Sequence, residues 1–282
     1  MYEIKEIKTS KIGITNISPL LEGSLNYKYC GEYNGKKVIL KVYNKKFSDY
    51  KERFSNELNV LGNPINIEVP KILKYSKKEF WILCEWVDGK SLKKIEQENG
   101  KINLSSLVNY LKKIHSIAYG IISPEEYLDQ RISILEKKLK QAEIEDPLFS
   151  SIKRGIEFLK KESKKIKLDN LCRVHGDLNG GNILFDIEGN VKSVVDWEFS
   201  HFGSPYIDLA QLTNRGTDMD KEILKEYFGN KLNKRLYEFF LVYFLLRIII
   251  GNSGNNRLKM AYISKEKDKI IKNKIKRVME MF

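Results

Sequence analysis

Two short stretches of this chain hold side chains whose types and spacing suit phosphoryl transfer. The first reads Val174-His175-Gly176-Asp177-Leu178-Asn179-Gly180-Gly181-Asn182, and the second Val194-Val195-Asp196-Trp197-Glu198. Asp177 and Asn182 share one loop, and Asp196 ends the next expected hairpin, so three oxygen-bearing side chains converge at one mouth of that hairpin. Moving a phosphoryl group needs one carboxylate to orient or deprotonate the attacking hydroxyl, and hard oxygen ligands to hold magnesium on the phosphates. A plainer alternative stays open, because Asp and Asn also stabilise tight loops without doing chemistry.

The elements that must position these residues fall into two kinds. Leu25 to Gly31 and Lys37 to Tyr43 read as strands joined at Asn34-Gly35, a hairpin signal. Ser48 caps an expected helix through Phe54, Glu57, Leu58 and Leu61, with Gly62 just past its end, and strands follow near Lys71 to Tyr75 and Phe80 to Val87. Beyond Asp88-Gly89 the apolar period changes from two to about 3.6. Helices are expected at Leu104 to Ile117, at Pro124 to Ala142, at Pro147 to Lys164 with Asp146 as cap, and across Leu236 to Gly251. One β interlude interrupts them, Asn182 to Asp186 and Val191 to Asp196 around Glu188-Gly189-Asn190. The class is therefore α+β: an N-terminal antiparallel sheet with one main helix in residues 1–88, and a larger, mostly helical part in residues 89–282.

The order His-x-Asp, four residues, Asn, then a later Asp resembles the aminoglycoside phosphotransferase and choline kinase family, whose members share a bilobal protein-kinase-like fold. By that resemblance Asp177 is the catalytic base, and Asn182 and Asp196 are the metal ligands. Gly23-Ser24-Leu25-Asn26-Tyr27-Lys28-Tyr29 resembles the loop that covers the nucleotide phosphates, with Gly23 and Ser24 closest to them. Lys41, in Val-Ile-Leu-Lys-Val, matches the lysine that grips the α- and β-phosphates, and Glu57 the acid that positions it. Ile82 to Val87 resembles the interlobe hinge, the backbone of Glu85 and Val87 meeting the adenine edge. The resemblance implies ATP or GTP with Mg2+, and a small-molecule hydroxyl as acceptor. Taken singly, Lys41 and Glu57 read equally well as surface charges; their joint order with the loop is what chance does not supply. Asp208 is expected to brace the catalytic loop from a buried position, His175 to organise that loop, and His115 to pack near the core of the helical part. Glu198 either braces or touches substrate, and His201 has no assigned role.

Composition narrows the remaining classes. With 42% hydrophobic and 31% charged residues the chain is globular and not intrinsically disordered. Its net charge of +13 invites a polyanion, but much of the excess lies between Lys265 and Arg277, interleaved with Ile263, Ile270, Ile271, Ile275 and Val278 as in a solvated amphipathic helix. No aromatic interleaving or known module supports nucleic-acid binding. Cys30, Cys84 and Cys172 lack metal-ligand spacing and read as reduced buried thiols. The N-terminal residues lack a signal peptide's apolar stretch, and the most apolar run, Leu236 to Ile250, carries Glu238 and Arg247 and is short for a bilayer, so a cytoplasmic protein without a membrane partner is expected. A protein kinase is the nearest rival. Against it stand Gly176 in place of Arg, Asp-Trp-Glu in place of Asp-Phe-Gly, the lack of Ala-Pro-Glu, and the short interval from Asp196 to Asp208. A catalytically silent relative has no physical need for Lys41, Glu57, Asp177, Asn182 and Asp196 together. Glu198, Asp208, Asp218 and Asp220 can make an acidic mouth for a cationic acceptor; oligomeric state is not legible.

Overall fold

Alternation along Lys36–Val42 (β3) sorts its side chains between two faces of the N-terminal sheet. The structure is a computed structural model that describes residues 12–20, 25–118, 123–142, 148–168 and 171–253. Strand β3 pairs antiparallel with β2 (Tyr27–Tyr33) through Asn34 and Gly35, whose φ values of 50° and 73° give the two-residue turn that suits the twist of a hairpin. With β1 (Thr15–Pro19), β4 (Ile72–Ser76) and β5 (Trp81–Glu85) the sheet runs β1-β2-β3-β5-β4, every pair antiparallel. Val38 and Leu40 point into a core with Ile12, Ile14, Tyr29, Trp81 and Leu83. Lys41, one residue out of phase, faces the helix α1 (Tyr50–Gly62), which buries Phe54, Val60 and Leu61. Phe54 meets Tyr43 and Phe80 edge-on, at 5.4 Å in each case.

The start and end of α1 differ slightly from expectation. Asp49, not Ser48, is the N-cap residue, and its carboxylate accepts from Arg53 Nε at 3.0 Å instead of capping the helix. Gly62 is the last helical residue, and the chain leaves through Asn63.

The expected interlude forms as β8 (Ile183–Phe185) and β9 (Val191–Val194), with a two-residue strand β6 (Lys90–Ser91) added beside β8. Helices α2 (Leu92–Gln97) and α3 (Leu104–His115) flank this ribbon. The carbonyl of Glu68 anchors β9, accepting from Ser193 Oγ, Val194 N and Tyr110 Oη at 3.2, 3.3 and 2.5 Å. One carbonyl thus fixes where the hairpin, and Asp196 after it, must lie.

Backbone contacts divide the chain into two units: one of residues up to Ile114 with His175–His201, the other of His115–Val174 with the residues from Phe202 on. The second unit contains α4 (Pro124–Gln141), α5 (Leu148–Ser163), β7 (Cys172–Val174), α6 (Tyr206–Leu212), α7 (Asp218–Phe228) and α8 (Lys234–Ser253), with β7 paired to β10 (His201–Gly203). Beyond its first turn helix α8 is almost wholly apolar and correspondingly buried, with Phe239, Phe240, Val242, Leu245 and Leu246 fully inaccessible. Among the described residues no helix is long and apolar enough to cross a membrane. The expected Asp146-Pro147 cap, the N-terminal residues and the basic C-terminal segment lie outside the described residues.

Candidate active site

His175 is a strut beneath the loop that carries Asp177. It is fully buried, its Nε2 donates to the Val195 carbonyl at 2.9 Å, and its Nδ1 accepts the Asp177 backbone N–H at 3.2 Å. These two bonds fix the Nε2–H tautomer and tie the backbone of Asp177 to that of the residue preceding Asp196. Trp197 packs against the imidazole at 4.7 Å and is itself held by Nε1 donating to Val194 O at 2.8 Å. Gly176 supplies the bend: its φ is +76°, and a Cβ there would fall 2.2 Å from the Phe199 carbonyl. His201 Nδ1 contacts that same carbonyl at 2.9 Å, so the one histidine without an expected role sits against the loop's tightest turn.

From this loop Asn182 faces back toward Asp177, its Nδ2 donating to the Asp177 carbonyl at 2.8 Å. Val195 N donates to Asn182 O at 2.9 Å, which keeps Asn182 and Asp196 neighbours across the hairpin. Asp196 adopts a left-handed backbone (φ 65°, ψ 54°), a conformation that costs a non-glycine residue energy and is found where the surroundings demand it.

Lysine 41 and Asp196 are at the centre of a buried ionic cluster. Lys41 Nζ donates to Glu57 Oε2 at 2.6 Å and Asp196 Oδ1 at 3.0 Å, and lies 3.5 Å from Glu198 Oε1. Lys28, directly opposite Lys41 in the β2–β3 register, donates to the other Asp196 oxygen at 2.5 Å. Burial by itself would raise the Asp196 carboxyl, but the Lys41 and Lys28 ammonium groups more than offset it and hold the acid well below the usual carboxylate range. For Lys41 burial works toward loss of the proton, yet Asp196 and Glu57 keep its ammonium charged far into base. Glu57 is raised because burial outweighs the help of Lys41, and Tyr43 Oη donates to it as well.

The residues around Glu198 were not identified by sequence reasoning. Arg53 Nη1 donates to Glu198 Oε2 at 2.8 Å, and Asn26 Nδ2 donates to the same oxygen at 2.6 Å. Arg53 is 2% exposed, so a fully buried guanidinium from α1 neutralises a buried carboxylate after β9. Glu198 is thus engaged by Arg53, Asn26 and Lys41 within the cluster. A signal existed: Arg53 lies one helical turn before Glu57 and so shares its inward face.

The expected site residues fall as follows. Lys41, Glu57, Asp177, Asn182 and Asp196 all belong to the first unit, joined by the bonds just described. Gly23 and Ser24 lie outside the described residues. Glu85 ends β5 with its N–H donating to Lys71 O at 3.0 Å and its carboxylate on Lys36 at 3.2 Å, and Val87 lies in the irregular stretch that follows. Two of the four acids expected at a mouth have other work, in the second unit. Asp208 is fully buried beside His115 Nε2 at 3.2 Å, while His115 Nδ1 meets Tyr227 Oη at 2.7 Å. Asp220 is buried and accepts the N–H groups of Arg215, Gly216 and Thr217 at 3.0, 2.7 and 3.2 Å, closing a capping box at the start of α7. Asp218 is exposed and pairs with Lys221. Cys84 and Cys172 are buried free thiols, whereas Cys30 is partly accessible.

The donors fit a magnesium ion better than a thiophilic one. Asp196 is a hard carboxylate kept ionised, and the hydrogen bond from the Asn182 amide nitrogen leaves its carbonyl oxygen as the second hard donor. Among the described residues no group of three or more His, Cys, Asp or Glu forms a closed metal cage. Both Asp196 oxygens accept from ammonium groups, so an ion bound there competes with them for the carboxylate.

Comparison with solved structures identifies the fold. The chain superposes on a thermostable mutant of the aminoglycoside phosphotransferase APH(4)-Ia in a ternary complex with ADP and hygromycin B (TM-score 0.71, 13% identity, 98% of each chain). It is similar to the choline kinase LicA from Streptococcus pneumoniae (TM-score 0.73, 16% identity, 99% of this chain and 98% of that one). A macrolide 2'-phosphotransferase of type I also matches (TM-score 0.65, 16% identity, 93% of each chain). No curated protein matches by sequence. A family model described as the phosphotransferase enzyme family covers residues 16–239, and the chain, with the kinase-like α+β fold of these structures, belongs to that family.

Proposed function

We propose that this phosphotransferase moves the γ-phosphoryl group of ATP or GTP directly to a hydroxyl of a small molecule, in the manner of an aminoglycoside phosphotransferase. In this reading residues 1–88 form the nucleotide-binding lobe and residues 89–282 the catalytic and substrate-binding lobe. The observation that carries it is the joining of Lys41, Glu57 and Asp196 in one ionic cluster, backed by a loop whose strut, His175, holds Asp177 beside it.

Asp177 orients the acceptor hydroxyl and takes its proton as the new phosphate ester bond forms and the bond from the γ-phosphorus to the departing nucleoside diphosphate breaks. Lys41, held by Glu57 and charged throughout the physiological range, offsets negative charge on the nucleotide phosphates. Gly23 and Ser24 contribute backbone and hydroxyl donors to the same phosphates. The carboxylate of Glu85 is engaged by Lys36, so its contact with the base, like that of Val87, runs through the backbone. Asn182 and Asp196 would hold Mg2+, which when bound draws off charge from the phosphate oxygens. Free cysteines in all three positions support a reducing, cytoplasmic setting.

The solved relatives act on an aminoglycoside, on choline and on a macrolide, which supports a small hydroxyl compound as acceptor. Choline, ethanolamine, another amino alcohol or a sugar is the alternative to an aminoglycoside. Nucleotide consumption by the purified protein, with ATP and GTP and with or without magnesium, tests the reading across such a panel. Stimulation by one class of acceptor supports it; a protein that binds neither nucleotide refutes it.

A further inference from the structure

The ionic cluster holds one more cation than the phosphate-gripping pair requires. Its carboxylates are Glu57, Asp196 and Glu198, and its cations are Lys41, Arg53 and Lys28. Arg53 is committed to Glu198, and Lys41 is shared by all three acids. Lys28 pairs with Asp196, at 2.5 Å, the shortest ammonium–carboxylate distance in the cluster. The antiparallel register sets Lys28 opposite Lys41, and directly opposed residues present their side chains on the same sheet face. Two lysines from adjacent strands therefore take one oxygen each of a single carboxylate.

The two are not equivalent. The Lys41 side chain is 7% exposed and bonded to Glu57, so its position survives loss of Asp196; that of Lys28 is 17% exposed. A flexible four-carbon stem lets such an ammonium swing without disturbing the sheet. We infer that Lys28 is a positioning residue that stands in for the divalent ion: in the nucleotide-free protein it holds Asp196 in its strained left-handed backbone, and it competes with the metal for that carboxylate. When metal and nucleotide enter, Lys28 gives up Asp196 and turns its charge to the incoming phosphates. This rests on the reading of Asp196 as a metal ligand. Lys28 thereby ties metal binding to nucleotide binding, because a metal alone must evict an ammonium that phosphate would otherwise receive.

Manganese binding to the nucleotide-free protein, followed by the electron paramagnetic resonance of free Mn2+, tests the inference without turnover. Lys28→Met should tighten Mn2+ binding by about tenfold and weaken binding of fluorescent ADP in chelator by a similar factor. A general packing defect would not tighten a metal site, so the sign is diagnostic. Lys28→Gln gives the same comparison should the methionine variant fold poorly, and Lys28→Arg should behave as wild type. Mn2+ affinity within twofold of wild type in both neutral variants overturns the inference. Asp196→Asn separates the two failures. If it abolishes Mn2+ binding while the Lys28 variants change nothing, only the role of Lys28 falls; if it leaves Mn2+ binding intact, the metal-ligand reading falls and takes the inference with it.

Discussion

Replacing Arg53 by Met asks whether the buried ionic cluster holds the first unit together. The guanidinium is 2% exposed and the Glu198 it neutralises is 6% exposed, so removing it strands a carboxylate that water cannot reach. Loss of one partner of a buried pair typically costs about 3–5 kcal/mol. Here Asn26 Nδ2 at 2.6 Å and Lys41 Nζ at 3.5 Å remain on Glu198, which sets the expectation at the lower end, about 3 kcal/mol. The Arg53–Asp49 contact adds less than about 1 kcal/mol, since Asp49 is half-exposed. Urea unfolding of the wild type, Arg53→Met, Glu198→Gln and the double variant measures both the loss and the coupling. The double variant should be more stable than the sum of the single losses implies, by about 2 kcal/mol, because no stranded charge remains. An Arg53→Met variant within about 1 kcal/mol of wild type, or strictly additive losses, would refute the reasoning.

The other expectations are more local. Asp196 is held below the value of about 3.9 that an unfolded chain gives it, so its contribution to stability is complete above about pH 5 and is lost as pH falls below about 4. Asp196→Asn should therefore lose less stability than wild type between pH 5 and pH 3, read from urea midpoints; parallel curves would count against the ion pairs. Gly176→Ala meets both a positive φ and a backbone carbonyl at 2.2 Å, and should cost upwards of about 2 kcal/mol in the same assay. Burial pushes the Cys172 thiol up to about 12 and raises Cys84 still further. Ellman's reagent at pH 8 should accordingly modify Cys30 alone until denaturant is added, and rapid reaction of all three would show the core to be open.

What the sequence made legible was local. Asn34-Gly35 carries its turn geometry in two residues, and the His175–Asn182 loop and the hairpin before Asp196 follow from short-range turn and strand signals. Much less visible was what completes the site. Glu198 takes its partners from Arg53 and Asn26, 145 and 172 residues earlier, and no local pattern announces a pairing at that separation. Lys28 was read as part of a strand and of the phosphate-covering stretch, and Tyr43 as a strand residue, since only the β2–β3 register and the approach of α1 turn them toward Asp196 and Glu57. Helix α7 was missed although Thr217 and Asp220 spell its capping box; with Asp in place of the more familiar Glu, Asp220 was read, with Asp218, as part of an acidic mouth. Ser48 and Asp49 are both good capping residues, which is why the start of α1 slipped by one.

Acceptor phosphorylation by Asp177→Ala, compared with wild type under saturating magnesium and nucleotide, tests the central claim most directly. The account predicts a rate lowered by about 100-fold to 10,000-fold with nucleotide binding unchanged, the scale of a positioned acid–base group. Near-normal turnover in that variant would contradict it.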